Sequence, residues 1–194
     1  MERALVIDHS TLIIRRTVAV VLGAILVAAA AQVAVPLPGT PVPFTLQPLA
    51  VLLVGGLLGA RLGALSMILY LAMGAAGLPV FTPTVPIYGI ARLLGPTGGY
   101  LLAYPIAAWA VGALVSPGRG PGARAPWVVQ VALGVLVGIV LIHLGGLAQL
   151  AIITGTIAGA AQLATWPFLL GDLLKIAVLV PVLARLTPTT RARL

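Results

Sequence analysis

The sequence contains no cysteine, which excludes disulfides and thiolate metal sites. Its two histidines, His9 and His143, are too few to build a metal site by themselves. Acidic residues are almost missing: Glu2, Asp8 and Asp172 are the three. Charged residues of both signs make up 7% of 194 residues, against about 25% in soluble domains. There is no G-x-x-x-x-G-K-[ST] phosphate loop, since the lone lysine, Lys175, follows Leu174. ATP hydrolysis by that route is excluded. No G-x-S-x-G motif is present either. A membrane protease would have to use His143 with Ser66 or Ser116, so no enzyme is expected and no cofactor is implied.

What is abundant is apolar. Hydrophobic residues are 61% of the chain and the mean hydropathy is +1.19. Such a chain has too little polar surface to cover itself in water, and its natural solvent is the bilayer. The eleven basic residues against three acidic ones do not indicate nucleic acid. Ten are arginines spread along the chain, with no run beyond Arg15–Arg16, whereas nucleic-acid binding needs a clustered stripe.

A membrane-spanning helix needs about 20 apolar residues, within a range of about 17–25. On that criterion the sequence predicts an all-α integral membrane protein, a single domain over residues 1–194. About six spans are expected, near 17–35, 46–60, 62–78, 98–115, 127–147 and 168–186. The first could be mistaken for a signal peptide, but Thr17–Val35 is longer than a signal h-region. The second is short. Ala148–Thr165 extends the fifth helix or forms a re-entrant connection.

Positive charge in short loops sets orientation. With six spans, Arg3, Arg15, Arg16, Arg61, Arg119, Arg124, Arg185, Arg191 and Arg193 all fall on one side, which is then the cytoplasm. Both termini are expected there, in a multi-pass protein of the cell membrane. Arg92 and Lys175 fall at the external end. The external segments are rich in proline, from Pro36 to Pro48 and from Pro79 to Pro96. Proline fixes φ and ends helices. These segments either merely stop the helices or form an ordered cap over a pocket, with Thr40, Thr45, Gln47, Thr82, Thr84 and Tyr88 as its polar groups. Gly55, Gly59 and Gly63 recur at every fourth residue, a spacing that permits close helix approach in lipid. Ala24–Ala28 and Ala30–Ala34 make the first span smooth on one side, for an internal neighbour or a partner subunit.

Asp172 and Lys175 sit three apart, so on a helix they share a face. A charge at mid-bilayer costs roughly 2.5–3.5 kcal/mol on insertion scales, so such groups face the bundle or a wet cavity. The pair either forms a site or reduces to an N-terminal cap with a snorkelling lysine. Arg92 is the third charge on this side.

One set of segments is specific in combination. It runs Val42-Pro43-Phe44-Thr45-Leu46-Gln47, Arg61-Leu62-Gly63-Ala64, Tyr70, Gly77-Leu78-Pro79-Val80-Phe81, Gly95-Pro96-Thr97-Gly98-Gly99-Tyr100, and Pro167-Phe168-Leu169-Leu170-Gly171-Asp172-Leu173-Leu174-Lys175. Together they resemble the BioY family, the biotin-capturing S-components of energy-coupling factor (ECF) transporters. The resemblance implies a six-helix S-component bundle holding biotin near the outer surface. It also implies two kinds of partner, a transmembrane coupling subunit and two cytoplasmic ABC ATPases. The positions it carries over are Gln47, Tyr70, Arg92, Tyr100, Asp172 and Lys175. Thr82–Ile90 departs from the Gly- and Asn-rich stretch of many members. The family's small-residue motif toward the coupling subunit matches Ala24, Ala28, Ala30 and Ala34. Biotin's carboxylate would need Lys175 or Arg92, and its ureido N–H groups an acceptor such as Asp172. Its apolar body would need walls such as Tyr70, Phe81, Tyr100 and Trp166. A self-sufficient carrier or channel for biotin or a similar organic anion is the alternative.

Overall fold

The computed structural model describes residues 9–116, 126–192 and 194. The charges at Arg3, Arg119, Arg124 and Arg193 lie outside those residues. The long helices are α1 (His9–Gln32), α2 (Gln47–Leu58), α3 (Ala60–Ala75), α5 (Gly98–Leu114), α6 (Trp127–Thr154) and α8 (Leu169–Arg191). Shorter pieces are α4 (Ala91–Leu94) and α7 (Ile157–Ala164), with a 3-10 turn at Trp166–Phe168 leading into α8. Two short antiparallel strands, β1 (Ala34–Val35) and β2 (Phe44–Thr45), close the loop after α1.

Each of the expected spans falls on one of the long helices, with shifted ends. Among the described residues, three helical stretches are long and apolar enough to cross a membrane: Ser10–Gln32, Trp127–Thr154 and Ile157–Arg191. The other three, α2, α3 and α5, are shorter apolar helices of 12, 16 and 17 residues. At 1.5 Å per residue α2 rises only about 18 Å, well under the roughly 30 Å hydrocarbon core. The loop before α2, through Val42, Pro43 and Thr45, lines a cavity.

Pro48 fits the first turn of α2, where its missing N–H costs nothing. The helix stops at Gly59, the sole residue between α2 and α3, with φ +85°. That conformation favours glycine. Gly59 is therefore the turn, while Gly55 and Gly63 make the close packing. A Cβ on Gly55 would sit 2.5 Å from the Ala108 carbonyl oxygen of α5, and one on Gly63 2.8 Å from the Gly55 Cα.

Helix α6 is longer than a span needs, with 28 residues against about 20. Gly155, with φ +75°, ends it, and the chain turns back through α7, whose N-terminus is capped by the Thr156 hydroxyl accepting from the Gly159 amide. Ala148–Thr165 thus combines an extension of the fifth helix with a returning helix.

Arg16 donates to the Leu194 carbonyl, and Arg191 donates to the carbonyls of Gly56 and Gly112 and to the Ser116 hydroxyl. The start of α1 and the ends of α2, α5 and α8 therefore gather at one end of the bundle. The proline-rich loops, α4 and α7 gather at the other.

Candidate ligand site

Beneath those loops lies a cavity with about 620 Å³ of space between its walls, counted out to the rim. Six regions converge on it. The first loop and the head of α2 give Val42, Pro43, Thr45 and Gln47; the second loop gives Phe81 and Thr82. Helix α4 gives Arg92, the first turns of α5 give Thr97, Tyr100 and Tyr104, and α6 and α8 give Ile139, His143, Asp172 and Lys175.

Asp172 and Lys175 share a face as their spacing requires. Lys175 Nζ lies 2.9 Å from Asp172 Oδ1, and the two residues are 4% and 5% exposed. Asp172 makes no cap bond at the start of α8, so the cap reading is set aside. Its second oxygen is taken by His143, whose Nε2 is 2.6 Å from Oδ2. Lys175 also sits 4.5 Å over the Phe44 ring. Gly171 makes room for that ring, because a Cβ there would run into it.

Arg92 is enclosed, at 1% exposure. Its guanidinium donates to the carbonyls of Val85 and Thr82. Its Nε is buried without a partner, and so is the Thr97 hydroxyl on the same cavity. Among the described residues Asp172 is the one side-chain carboxylate, and it is engaged by Lys175 and His143. Arg92 therefore lacks a counter-anion. A buried charge is normally paired, because leaving one uncompensated is costly.

Gln47 lines the cavity and donates through Nε2 to the Tyr70 hydroxyl at 2.6 Å, and that hydroxyl donates to the Val80 carbonyl at 3.2 Å. Tyr70 is fully buried but stands behind Gln47 rather than on the cavity wall. The Tyr100 hydroxyl is turned to the Ala164 carbonyl, leaving its ring to face the cavity.

Several expectations are corrected. Trp166 is not a wall: it is 67% exposed, where a tryptophan suits the membrane–water interface. Tyr88 is also 67% exposed and is not on the cavity wall. Thr40 is spent on the Leu163 carbonyl, which ties the first loop to α7. Ala24 is fully buried in the core, beside Gly23, whose Cβ position is blocked by Ser66 and Val54. Ala28 and Ala30 are half-buried and pack on the same core, and Ala34 belongs to β1. The smooth side of α1 thus faces inward, and the outward side is made of Val18, Leu22, Ile25 and their neighbours. His143, Thr97 and Tyr104 were not anticipated. For His143 the signal existed, since an ionisable group inside an apolar span is a functional candidate by default.

These features define an α-helical membrane protein with a covered ligand pocket at one end of its bundle. The chain belongs to the BioY family, whose model matches residues 2–192. A Pyrococcus horikoshii protein named a probable biotin transporter BioY is 39% identical over 150 residues, covering 77% of this chain and 83% of the relative. The biotin transporter BioY of Thermotoga maritima is 34% identical over 161 residues, 83% of this chain and 89% of that one. The biotin transporter BioY of Rhodobacter capsulatus is also 34% identical, over 165 residues, with 80% and 83% covered. Among solved structures, the S-component for biotin from an ECF-type ABC transporter shares the fold, with a TM-score of 0.78 at 24% identity over 90% of this chain and 92% of that one.

Proposed function

We propose that this protein captures biotin at the outer face of the cell membrane and takes it up as the S-component of an ECF-type transporter. The observation that carries the reading is Arg92: a buried cation on the cavity wall with an unpartnered Nε and no acid to balance it. A ligand carboxylate would supply both the charge and the missing acceptor, and charge-assisted bonds of this kind are the strong ones. Asp172 and Lys175 then take the ureido ring, the carboxylate accepting its N–H groups and the ammonium donating to its carbonyl. Each Asp172 oxygen keeps a second lone pair for this after bonding Lys175 or His143. The bicycle and chain fit among Phe81, Tyr100, Tyr104 and Ile139. Relatives that cover most of the chain are named biotin transporters, which supports the choice of biotin over other carboxylates.

In this reading six helices span the membrane, with both termini in the cytoplasm. The pocket opens outward, and the arginine-rich end faces in. Since the chain carries no phosphate loop, energy comes from partners, a transmembrane coupling subunit and two cytoplasmic ABC ATPases. The coupling contact on α1 then uses its outward side and the part-exposed edge at Ala28 and Ala30 rather than Ala24.

Calorimetric titration of the purified protein with biotin tests the reading. Saturable one-to-one binding, lost when biotin is replaced by a carboxylate of similar size without a ureido ring, is expected. No heat of binding across micromolar concentrations would overturn it.

A further inference from the structure

His143 faces two acceptors. Its Nδ1 lies 3.2 Å from the Ala164 carbonyl oxygen and its Nε2 lies 2.6 Å from Asp172 Oδ2. A carbonyl can only accept, so a hydrogen bond there requires a proton on Nδ1. That carbonyl also accepts from the Tyr100 hydroxyl, which uses its second lone pair. At Nε2 a bare nitrogen lone pair facing an ionised carboxylate oxygen at 2.6 Å would be repulsive. One further proton has to lie between them, on the imidazole or on the carboxyl.

We infer that His143 is a positioning residue of this site, and that it shares with Asp172 a proton that leaves the His143–Asp172–Lys175 unit with one net positive charge. The result is the same for either placement of the shared proton. An imidazolium beside a carboxylate sums to zero, as does a neutral imidazole beside a carboxylic acid, and Lys175 adds one. The other groups that face the ring are the Tyr100 ring at 6.2 Å and the Phe168 ring at 6.4 Å, neither of which neutralises the unit. Arg92, from α4, adds a second positive charge to the same cavity.

Two consequences follow for binding, and these rest on the biotin reading. Asp172 is clamped at both oxygens from two different helices, Lys175 on its own helix and His143 on α6. Its remaining lone pairs therefore point in fixed directions before the ligand arrives, and preorganisation of this kind raises affinity by reducing the cost of ordering. The cavity as a whole also favours an anionic ligand, because its acid is already neutralised within the unit and Arg92 adds a second positive charge.

The proton can be located without altering the pocket. The chain has two histidines, so His9→Gln leaves His143 as the single imidazole. The full-length variant, ¹⁵N-labelled at histidine and held in lipid nanodiscs without biotin at pH 7, should show Nδ1 bearing a directly bonded proton. A proton on Nε2 alone, with Nδ1 bare, overturns the inference. A biotin titration of His143→Gln tests the positioning role. Glutamine keeps a polar group but cannot hold the shared proton, and affinity should fall about tenfold. Equal affinity in the variant and the wild type would overturn that role. If wild-type protein fails to bind biotin at all, the biotin reading falls, while the nitrogen spectrum still decides where the proton lies.

Discussion

Gln47 Nε2 lies 2.6 Å from the Tyr70 hydroxyl, and both groups are buried. Gln47 is on the cavity and Tyr70 is behind it, so the tyrosine acts through the glutamine. Tyr70→Phe removes the acceptor for Gln47 and the donor to Val80. At about 0.5–1.5 kcal/mol per hydrogen bond, biotin affinity should fall by roughly two- to tenfold. Gln47→Ala should cost more. Equal losses in the two variants, measured by calorimetry, would place Tyr70 in direct contact with the ligand.

The two ends of the pocket should respond differently to the ligand's charge. Asp172→Asn, Lys175→Ala and Arg92→Ala should each weaken biotin binding by about tenfold or more, on the scale of roughly 1–3 kcal/mol for an orphaned buried partner. For a biotin amide, which has no carboxylate, the loss in Arg92→Ala should shrink while the losses in Asp172→Asn and Lys175→Ala persist. The reverse pattern would exchange the two ends. Unchanged affinity in all three variants would remove these residues from the site.

Arg191 should matter for stability and not for the ligand. Its guanidinium donates to Gly56, Gly112 and Ser116 at 2.7–3.1 Å, holding together the ends of α2, α5 and α8. Arg191→Ala leaves carbonyls at the ends of α2 and α5 without this partner, at a cost of about 1–3 kcal/mol. The melting temperature in detergent should drop, with biotin affinity unchanged at the temperature where both proteins are folded. An altered affinity would mean that the two ends of the bundle are coupled.

Orientation can be read by labelling, because the chain has no cysteine of its own. Pro38 and Thr189 are both exposed, at opposite ends of the bundle. A membrane-impermeant maleimide applied to intact cells should label Pro38→Cys and spare Thr189→Cys until the membrane is opened. Labelling of both from outside would sink the topology with both termini in the cytoplasm.

Much of this arrangement was legible in the residues. Apolar runs near the length of a bilayer gave the long helices, because a backbone in lipid has to satisfy its own hydrogen bonds. The spacing of Asp172 and Lys175 gave their pairing, because three residues make most of a helical turn. The glycines at 55 and 63 gave a close approach, although the turn at Gly59 puts them on two different helices.

What the sequence determined by itself was therefore local: which segments are helical and which charges share a face. These rest on forces that act within a turn or two of the chain. Tertiary structure decided the rest. His143 and Asp172 are 29 residues apart and meet only because α6 packs on α8. Arg92 loses its solvent only when the second loop closes on it through Val85 and Thr82. The alanines of α1 could have faced a partner or the core, and the fit of Gly23 and Ala24 against α2 and α3 turned Ala24 inward while Ala28 and Ala30 stayed half-buried. Small residues suit both surfaces equally in lipid, where apolar side chains gain nothing by leaving their solvent, so shape complementarity between distant helices chose which side was buried.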